Sequence, residues 1–234
     1  MYTLYLGNKN YSSWSLRGFF AAKLSGAPFT ERMIALSGGA EPNPANRAFS
    51  PSLRVPCLHD DGVVVWDSMG IAEYLAERHP GMWPADPVAR AFARCASCEM
   101  HSGFAALRNE MTMCVKERVD VRPWSTALTA DVARITGLWN EGRQRFGAGG
   151  PYLCGAVSLA DAFFAPVAFR FRTYAVAPEG AAGDYLRALL AHPFMREWEA
   201  AALKETTIVP SDEPRVIYRD KLAAAKAAMP AASA

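Results

Sequence analysis

Short apolar runs open this chain, and helical spacing replaces them further along. Residues 2–6 form an aromatic and aliphatic run stopped by Gly7-Asn8, which predicts a buried strand. After Tyr11-Ser12-Ser13, the apolar residues Leu16, Phe19, Phe20 and Leu24 recur at i, i+3, i+4 and i+8. That is one face of a helix, ended by Gly26 and Pro28. A second strand is predicted over residues 29–36, followed by an irregular loop marked by Ser37-Gly38-Gly39 and Pro42-Asn43-Pro44. Residues 55–59 and 63–66 read as two strands of a hairpin, because Asp60-Asp61-Gly62 joins them and an Asp-Gly step between apolar runs is a strong turn signal. Asp67-Ser68 then opens a helix with Ile71, Tyr74 and Leu75 on its inner face.

The predicted order is strand, helix, strand, loop, hairpin, helix. A helical crossover lets the first two strands lie parallel, whereas hairpin strands are antiparallel. A βαβ unit followed by ββα is the arrangement of the thioredoxin fold. Pro80, Pro84 and Pro87 flank a linker carrying Trp83, and beyond it no period-2 run appears. Candidate helices occupy residues 88–118, 129–146, 159–174, 185–191 and 193–204. The expected organisation is therefore α/β plus all-α: a thioredoxin-like domain over 1–79, a linker over 80–87, an all-helical domain over 88–222 and an Ala-rich tail over 223–234. That tail is expected to be a frayed helix or disordered.

Composition narrows the function classes. Half of the 234 residues are apolar (51%), a fifth are charged (21%) and the net charge is only +2, with no Lys/Arg cluster, so neither nucleic acid nor an acidic membrane surface is indicated. No secretory segment opens the sequence, and no stretch reaches the ~18 apolar residues of a membrane span. Five cysteines lie without a disulfide or zinc pattern, so a reduced, cytoplasmic protein without a metal is expected.

Three local elements carry chemistry. Arg54-Val55-Pro56-Cys57-Leu58 begins the third strand, where proline removes a ladder donor. A cis bond before Pro56 would turn the Val55 N–H and C=O outward to pair with an extended peptide; a trans proline ending a loop is the plainer alternative. Asp67-Ser68 are helix-capping residues, which need mean no more than a cap, but a helix N-terminus with a carboxylate can also hold both ends of an amino acid. Tyr11-Ser12-Ser13-Trp14-Ser15-Leu16-Arg17 places three serines in four positions before a helix, more than a cap requires.

Together, in this order and spacing, these elements resemble the cytosolic glutathione transferase family over nearly the whole chain. Ser-Ser-x-Ser-x-Arg looks most like the zeta class, with Trp14 in place of that motif's cysteine. Gly155-Ala156-Val157-Ser158-Leu159-Ala160-Asp161 is similar to the family's Gly-x-x-Ser-x-Ala-Asp segment, a capping box with a structural role. The resemblance implies that glutathione is the co-substrate. Val55 would pair with its cysteinyl backbone, Asp67 and Ser68 would hold the γ-glutamyl end, and Trp14 and Arg54 would border the site. Ser12, or its neighbour Ser13, would donate to the sulfur, with Ser12 favoured by alignment. Leu53 departs from a glycine common at its position. Second substrates would meet the helical domain, where Phe104, Arg108, Met111 and Arg172 are candidates, and a homodimer is implied. Lowering a thiol pKa from ~8.5 to ~6.5 needs roughly 2.7 kcal/mol. A hydrogen bond to a charged acceptor supplies about 1.5–3 kcal/mol and a helix N-terminus roughly 0.3–1 kcal/mol, so one serine suffices without a general base.

Other signals are discounted. Cys95-Ala96-Ser97-Cys98 has CxxC spacing but falls within a predicted helix of the second domain, where a redox pair is not expected. Cys57 is expected to be packed, and His59, His79, His101 and His192 show no ligand spacing. The leading expectation is transfer of the glutathione thiolate to small electrophiles for detoxification. A zeta-type cis–trans isomerase acting on a maleylacetoacetate-like substrate and a non-enzymatic ligand-binding or assembly module are the alternatives.

Overall fold

The computed structural model of the protein describes residues 1–36 and 42–228, with side chains described through Ala223 at the C-terminal end. The first apolar run forms β1 (Tyr2–Gly7), with Leu4 and Leu6 wholly buried on one face. Helix α1 (Ser13–Leu24) crosses over to β2 (Phe29–Ile34), which pairs parallel with β1 from Tyr2↔Phe29 to Gly7↔Ile34. The hairpin is β3 (Cys57–Asp60) and β4 (Val63–Val65), antiparallel to each other, with β3 also antiparallel to β1. The sheet order is β2-β1-β3-β4, and α2 (Ser68–Arg78) follows the hairpin. This is the thioredoxin-like arrangement that the order of apolar runs implies. The Ser37-Gly38-Gly39 part of the expected loop lies outside the described residues; its later part contains a 3-10 turn over Pro44–Ala48.

The helical region consists of α3 (Pro87–Ser102), α4 (Ala105–Glu110), α5 (Thr126–Phe146), α6 (Leu159–Thr173), α7 (Gly180–Ala191) and α8 (Pro193–Ala202). Short α9 (Pro214–Ile217) and α10 (Arg219–Ala228) close the described chain. The single helix expected over 88–118 is instead two. Gly103 caps α3 where any Cβ would sit 2.8 Å from the Glu99 carbonyl, and Phe104 takes φ 61°, so the chain turns before α4. After Glu110 it runs irregularly to Ser125. Helix α10 covers the start of the expected tail; residues 229–234 lie outside the described residues.

Helix α1 is buried on more than the face its spacing suggested. Leu16, Phe19 and Phe20 join the sheet core, while Arg17 and Ser13 are buried as well. The reason is tertiary: α1 lies between the sheet and α6, whose residues Leu159–Phe171 are buried along its whole length. The Ser158–Asp161 capping box is formed, and buried Asp161 also accepts from Leu153 N–H at 3.1 Å and Tyr185 O–H at 2.9 Å.

Candidate active site

The site builds up at the ends of β1, β3 and the two helices that follow the strands. Gly7-Asn8-Lys9-Asn10-Tyr11 turns from β1 into α1. The N–H groups of Tyr11 and Ser12 donate to the Asn8 carbonyl at 3.2 and 2.8 Å, which places Ser12 at the N-cap. Ser12 Oγ–H donates to Ser15 Oγ at 2.8 Å and accepts the Ser15 N–H at a long 3.4 Å, so the cap bond itself is weak. Ser15 Oγ also accepts the Gly7 N–H at 2.8 Å, tying the helix to the end of β1. Ser13 is as buried as Ser12, and among the described residues its hydroxyl has no hydrogen-bond partner.

The second edge is the segment before β3. Val55–Pro56 is cis, and Val55 precedes the first paired residue of the strand, leaving its backbone N–H and C=O without a partner among the described residues. Gly18 of α1 approaches the Pro56 ring so closely that a Cβ there would lie 3.0 Å from Pro56 Cβ. Leu53 occupies φ 62°, the left-handed region where a side chain costs about 1 kcal/mol. Its carbonyl is held by Asn43 N–H and Asn46 Nδ2, both at 3.0 Å, which compensates. That backbone shape explains why glycine suits this position. Arg54 is exposed at the rim.

The third edge is the N-terminus of α2. Asp67 caps it, accepting from Met69 N–H at 2.9 Å, and Ser68 is buried with its Oγ lacking a partner among the described residues. His101 of α3 donates from Nε2 to Asp67 Oδ2 at 3.1 Å. That bond, together with the imidazole charge and the helix N–H groups, outweighs partial burial and holds the Asp67 carboxyl down at about 2. In the sequence His101 reads as an isolated histidine. No local signal could have found it, since its partner lies on another element.

Trp14 joins these edges to the helical region. Its ring lies edge-on to His101 at 5.3 Å, with the Arg17 guanidinium 4.6 Å and that of Arg108 4.9 Å from its centroid. Arg17 is only 1% exposed yet forms no ion pair with a carboxylate among the described residues; Nη2 reaches the Met100 carbonyl at 3.5 Å, while Nε and Nη1 are buried without partners there. Burial, and then the nearby Arg108 and Arg170 charges, push its pKa down. An under-neutralised cation buried beside a serine-capped helix end favours an anion there.

The four candidates for the second-substrate face do not come together. Arg108 borders Trp14, but its N–H groups are committed to the Gly103, Met100 and His101 carbonyls. Phe104 is buried at the α3–α4 turn, and Met111 is wholly buried, its carbonyl accepting from Arg170 Nε at 2.6 Å. Arg172 points elsewhere, paired with Glu199 at 2.7 Å and donating to the Val115 carbonyl at 3.2 Å. Met111 and Arg172 are therefore corrected from pocket-lining to packing and ion-pairing residues. The core takes Met111, and the half-buried Arg172 is held by its ion pair with Glu199.

The buried thiols of Cys57 and Cys114 and the half-buried thiol of Cys154 are poor nucleophiles. Burial raises Cys57 to about 11, and Cys114 and Cys154 to about 12. Cys95 and Cys98 are exposed on α3. Among the described residues no group of His, Cys, Asp or Glu side chains could hold a metal, and no helix is long and apolar enough to cross a membrane.

Known proteins resemble this chain in sequence and in fold. The family described as glutathione S-transferase, N-terminal domain, matches residues 11–78, from the serine turn to the end of α2. The chain is 28% identical over 167 residues to maleylacetoacetate isomerase of Rattus norvegicus, covering 70% of this chain and 74% of that protein. It is 31% identical over 134 residues to maleylacetoacetate isomerase of Pseudomonas aeruginosa, covering 53% of this chain and 61% of that protein. In fold it is similar to a glutathione transferase homologue from Burkholderia solved with bound glutathione, with TM-score 0.64 and 22% identity over 87% of this chain and 98% of that one. Residues 11–78 thus match the glutathione S-transferase N-terminal domain, the chain is similar in sequence to maleylacetoacetate isomerases, and its fold is that of the glutathione transferases.

Proposed function

We propose that this protein binds glutathione along the cleft edge formed by Val55, Asp67, Ser68 and the serine turn, and adds its thiolate to small electrophiles. The observation that carries this reading is a set of unfilled polar groups at one end of the sheet. The Val55 backbone and the buried Ser68 Oγ lack partners, beside a carboxylate that stays ionised. A peptide backbone, an amino-acid carboxylate and an ammonium complement these three in turn. Asp67 can take the ammonium in addition to His101, since a carboxylate accepts at both oxygens. Trp14 and Arg54 border the bound tripeptide.

Ser12 is the proposed donor to the sulfur. To act it exchanges its bond to Ser15 Oγ for one to the thiolate. The exchange is favourable, because a hydrogen bond to a charged acceptor contributes about 1.5–3 kcal/mol against about 1 kcal/mol for a neutral one. The α1 N-terminus and the Arg17 charge stabilise the same anion. Ser13, whose hydroxyl needs no exchange, is the alternative donor.

A second reading is a glutathione-dependent isomerase. The similarity to two maleylacetoacetate isomerases favours it, and the Arg17–Arg108 cluster behind Trp14 suits an anionic substrate. Isothermal titration with glutathione, followed by rates with maleylacetone and with a chlorinated nitrobenzene, separates the possibilities. Binding with faster turnover of the nitrobenzene supports the transferase, and faster turnover of maleylacetone the isomerase. A folded protein that binds no glutathione at millimolar concentration overturns both and leaves a ligand-binding or assembly module. We further propose a cytoplasmic homodimer, a reading supported by the family resemblance and by exposed Val63 and Trp66 at the hairpin edge.

A further inference from the structure

In the turn that delivers Ser12 and Ser13, the backbone of Lys9 and Asn10 is held by the helical region. The N–H of Lys9 donates to Glu205 Oε1 at 2.7 Å and the N–H of Asn10 to Glu205 Oε2 at 3.0 Å, across sequence separations of 196 and 195. The Lys9 carbonyl accepts the Trp198 indole N–H at 2.7 Å, and the Asn10 carbonyl accepts the Val115 N–H at 3.1 Å. Every backbone polar group of these two residues is thus bonded to the helical region. Only the next two N–H groups, of Tyr11 and Ser12, return locally to Asn8. Glu205 is itself fixed, because its N–H donates to the Ala202 carbonyl at 3.1 Å and its carbonyl accepts from Lys116 Nζ.

We infer that Glu205 is a positioning residue for the thiol-activating serine, its two carboxylate oxygens setting the Lys9–Asn10 peptide planes and through them the Ser12 hydroxyl. The inference rests on the proposed role of that hydroxyl. Two adjacent N–H groups facing one carboxylate fix the rotation of the peptide planes between them, which a single bond would not. The charges around the turn are accounted for separately: Lys9 Nζ pairs with Glu31 at 2.6 Å on the sheet side, and Lys116 Nζ binds the Glu205 carbonyl and not its carboxylate. Glu205 touches no reacting atom; it acts through the turn. A misplacement of the donor by about 1 Å costs up to about 100-fold in rate.

Glu205→Gln keeps size and shape but offers one acceptor oxygen and an amide that opposes the second N–H. The readout is the pKa of the glutathione thiol bound to full-length protein, followed by ultraviolet absorbance of the thiolate, with kcat and KM alongside. The expected result is a bound-thiol pKa raised by about one unit and kcat lowered about tenfold near neutral pH, with KM for glutathione changed less than threefold and the rate recovering as pH rises. Glu205→Asp, which restores both oxygens at shorter reach, is expected to fall between the two. It becomes the deciding variant if Glu205→Gln does not fold. Asp161→Asn serves as a control, because it loosens the distant capping box; a purely structural effect would shift the thiol pKa equally in both. An unmoved thiol pKa in the Glu205 variants, or an equal shift in Asp161→Asn, overturns the inference while leaving the thiol-activation reading intact. A wild-type protein that binds glutathione without lowering its thiol pKa overturns both.

Discussion

In the proposed mechanism Ser12 sits in a balance between capping a helix and serving a ligand. Its weak 3.4 Å cap and its 2.8 Å bond to Ser15 are both replaceable by a charged acceptor. Ser12→Ala is therefore expected to lower kcat/KM by about 100-fold or more, the loss of one charge-assisted hydrogen bond of about 3 kcal/mol. Ser13→Ala should cost less than about fivefold in the same glutathione-conjugation assay. The opposite ranking would move the role to Ser13. Asp67 differs in that its effect has a pH signature. Its folded-state pKa of about 2 lies below the ordinary 3.8, so the stability it contributes is full above the ordinary value and is lost as pH falls through about 2. Its side chain is 56% exposed, which keeps that contribution below about 1 kcal/mol. The melting-temperature gap between wild type and Asp67→Asn should then narrow as pH is lowered from about 5 to about 2. The cysteines divide by environment. Native protein treated with iodoacetamide at neutral pH should be alkylated at exposed Cys95 and Cys98, while Cys57, Cys114 and Cys154, whose thiols burial keeps protonated, react only after unfolding; mass spectrometry reads the sites.

At the scale of elements, the contact between α1 and the segment before β3 matters most, since it sets the distance between the serine hydroxyls and the Val55 backbone. Gly18 permits that approach. Its conformation is ordinary for a helix, but an added Cβ meets the buried Pro56 ring at 3.0 and 3.1 Å, and a ring packed into the core has little room to give. Gly18→Ala should lose about 1–3 kcal/mol by urea denaturation and raise KM for glutathione, because the ring carries Val55 with it. The order and type of the early elements were legible because each has a clean local signal: an apolar run, an i, i+3, i+4 stripe, an Asp-Gly turn. The break between α3 and α4 was not. Helical spacing continues through Gly103-Phe104, and only the positive φ at Phe104 reveals the turn. Likewise α1 reads as a one-sided helix, whereas its polar side is covered by α6 and the α3 region, which burial of Arg17 shows.

Across the whole molecule, the sheet supplies the proposed peptide-binding edge, and the helical region supplies the fixing of the serine turn, the partner of Asp67 and Arg108, one of the two cations beside Trp14. The Tyr11 hydroxyl, donating to Glu213 at 2.9 Å, extends the same pattern to the C-terminal segment. Trimming the chain to the residues of the thioredoxin-like part should therefore abolish thiol activation even where the sheet still folds, a loss measurable as an unshifted thiol pKa in added glutathione. What the sequence determined by itself was the succession of strands and helices and the three motifs at their ends that the proposed site uses, because hydrophobic periodicity, turn chemistry and capping are local and act over a few residues. Only the tertiary structure decided which groups face one another: that His101 meets Asp67, that Arg17 is buried without a carboxylate, that Met111 and Arg172 turn away from the cleft, and that Glu205 holds the turn before Ser12. Those pairings join residues tens to nearly two hundred positions apart, and they follow from which helix faces pack together, a property that no local spacing encodes.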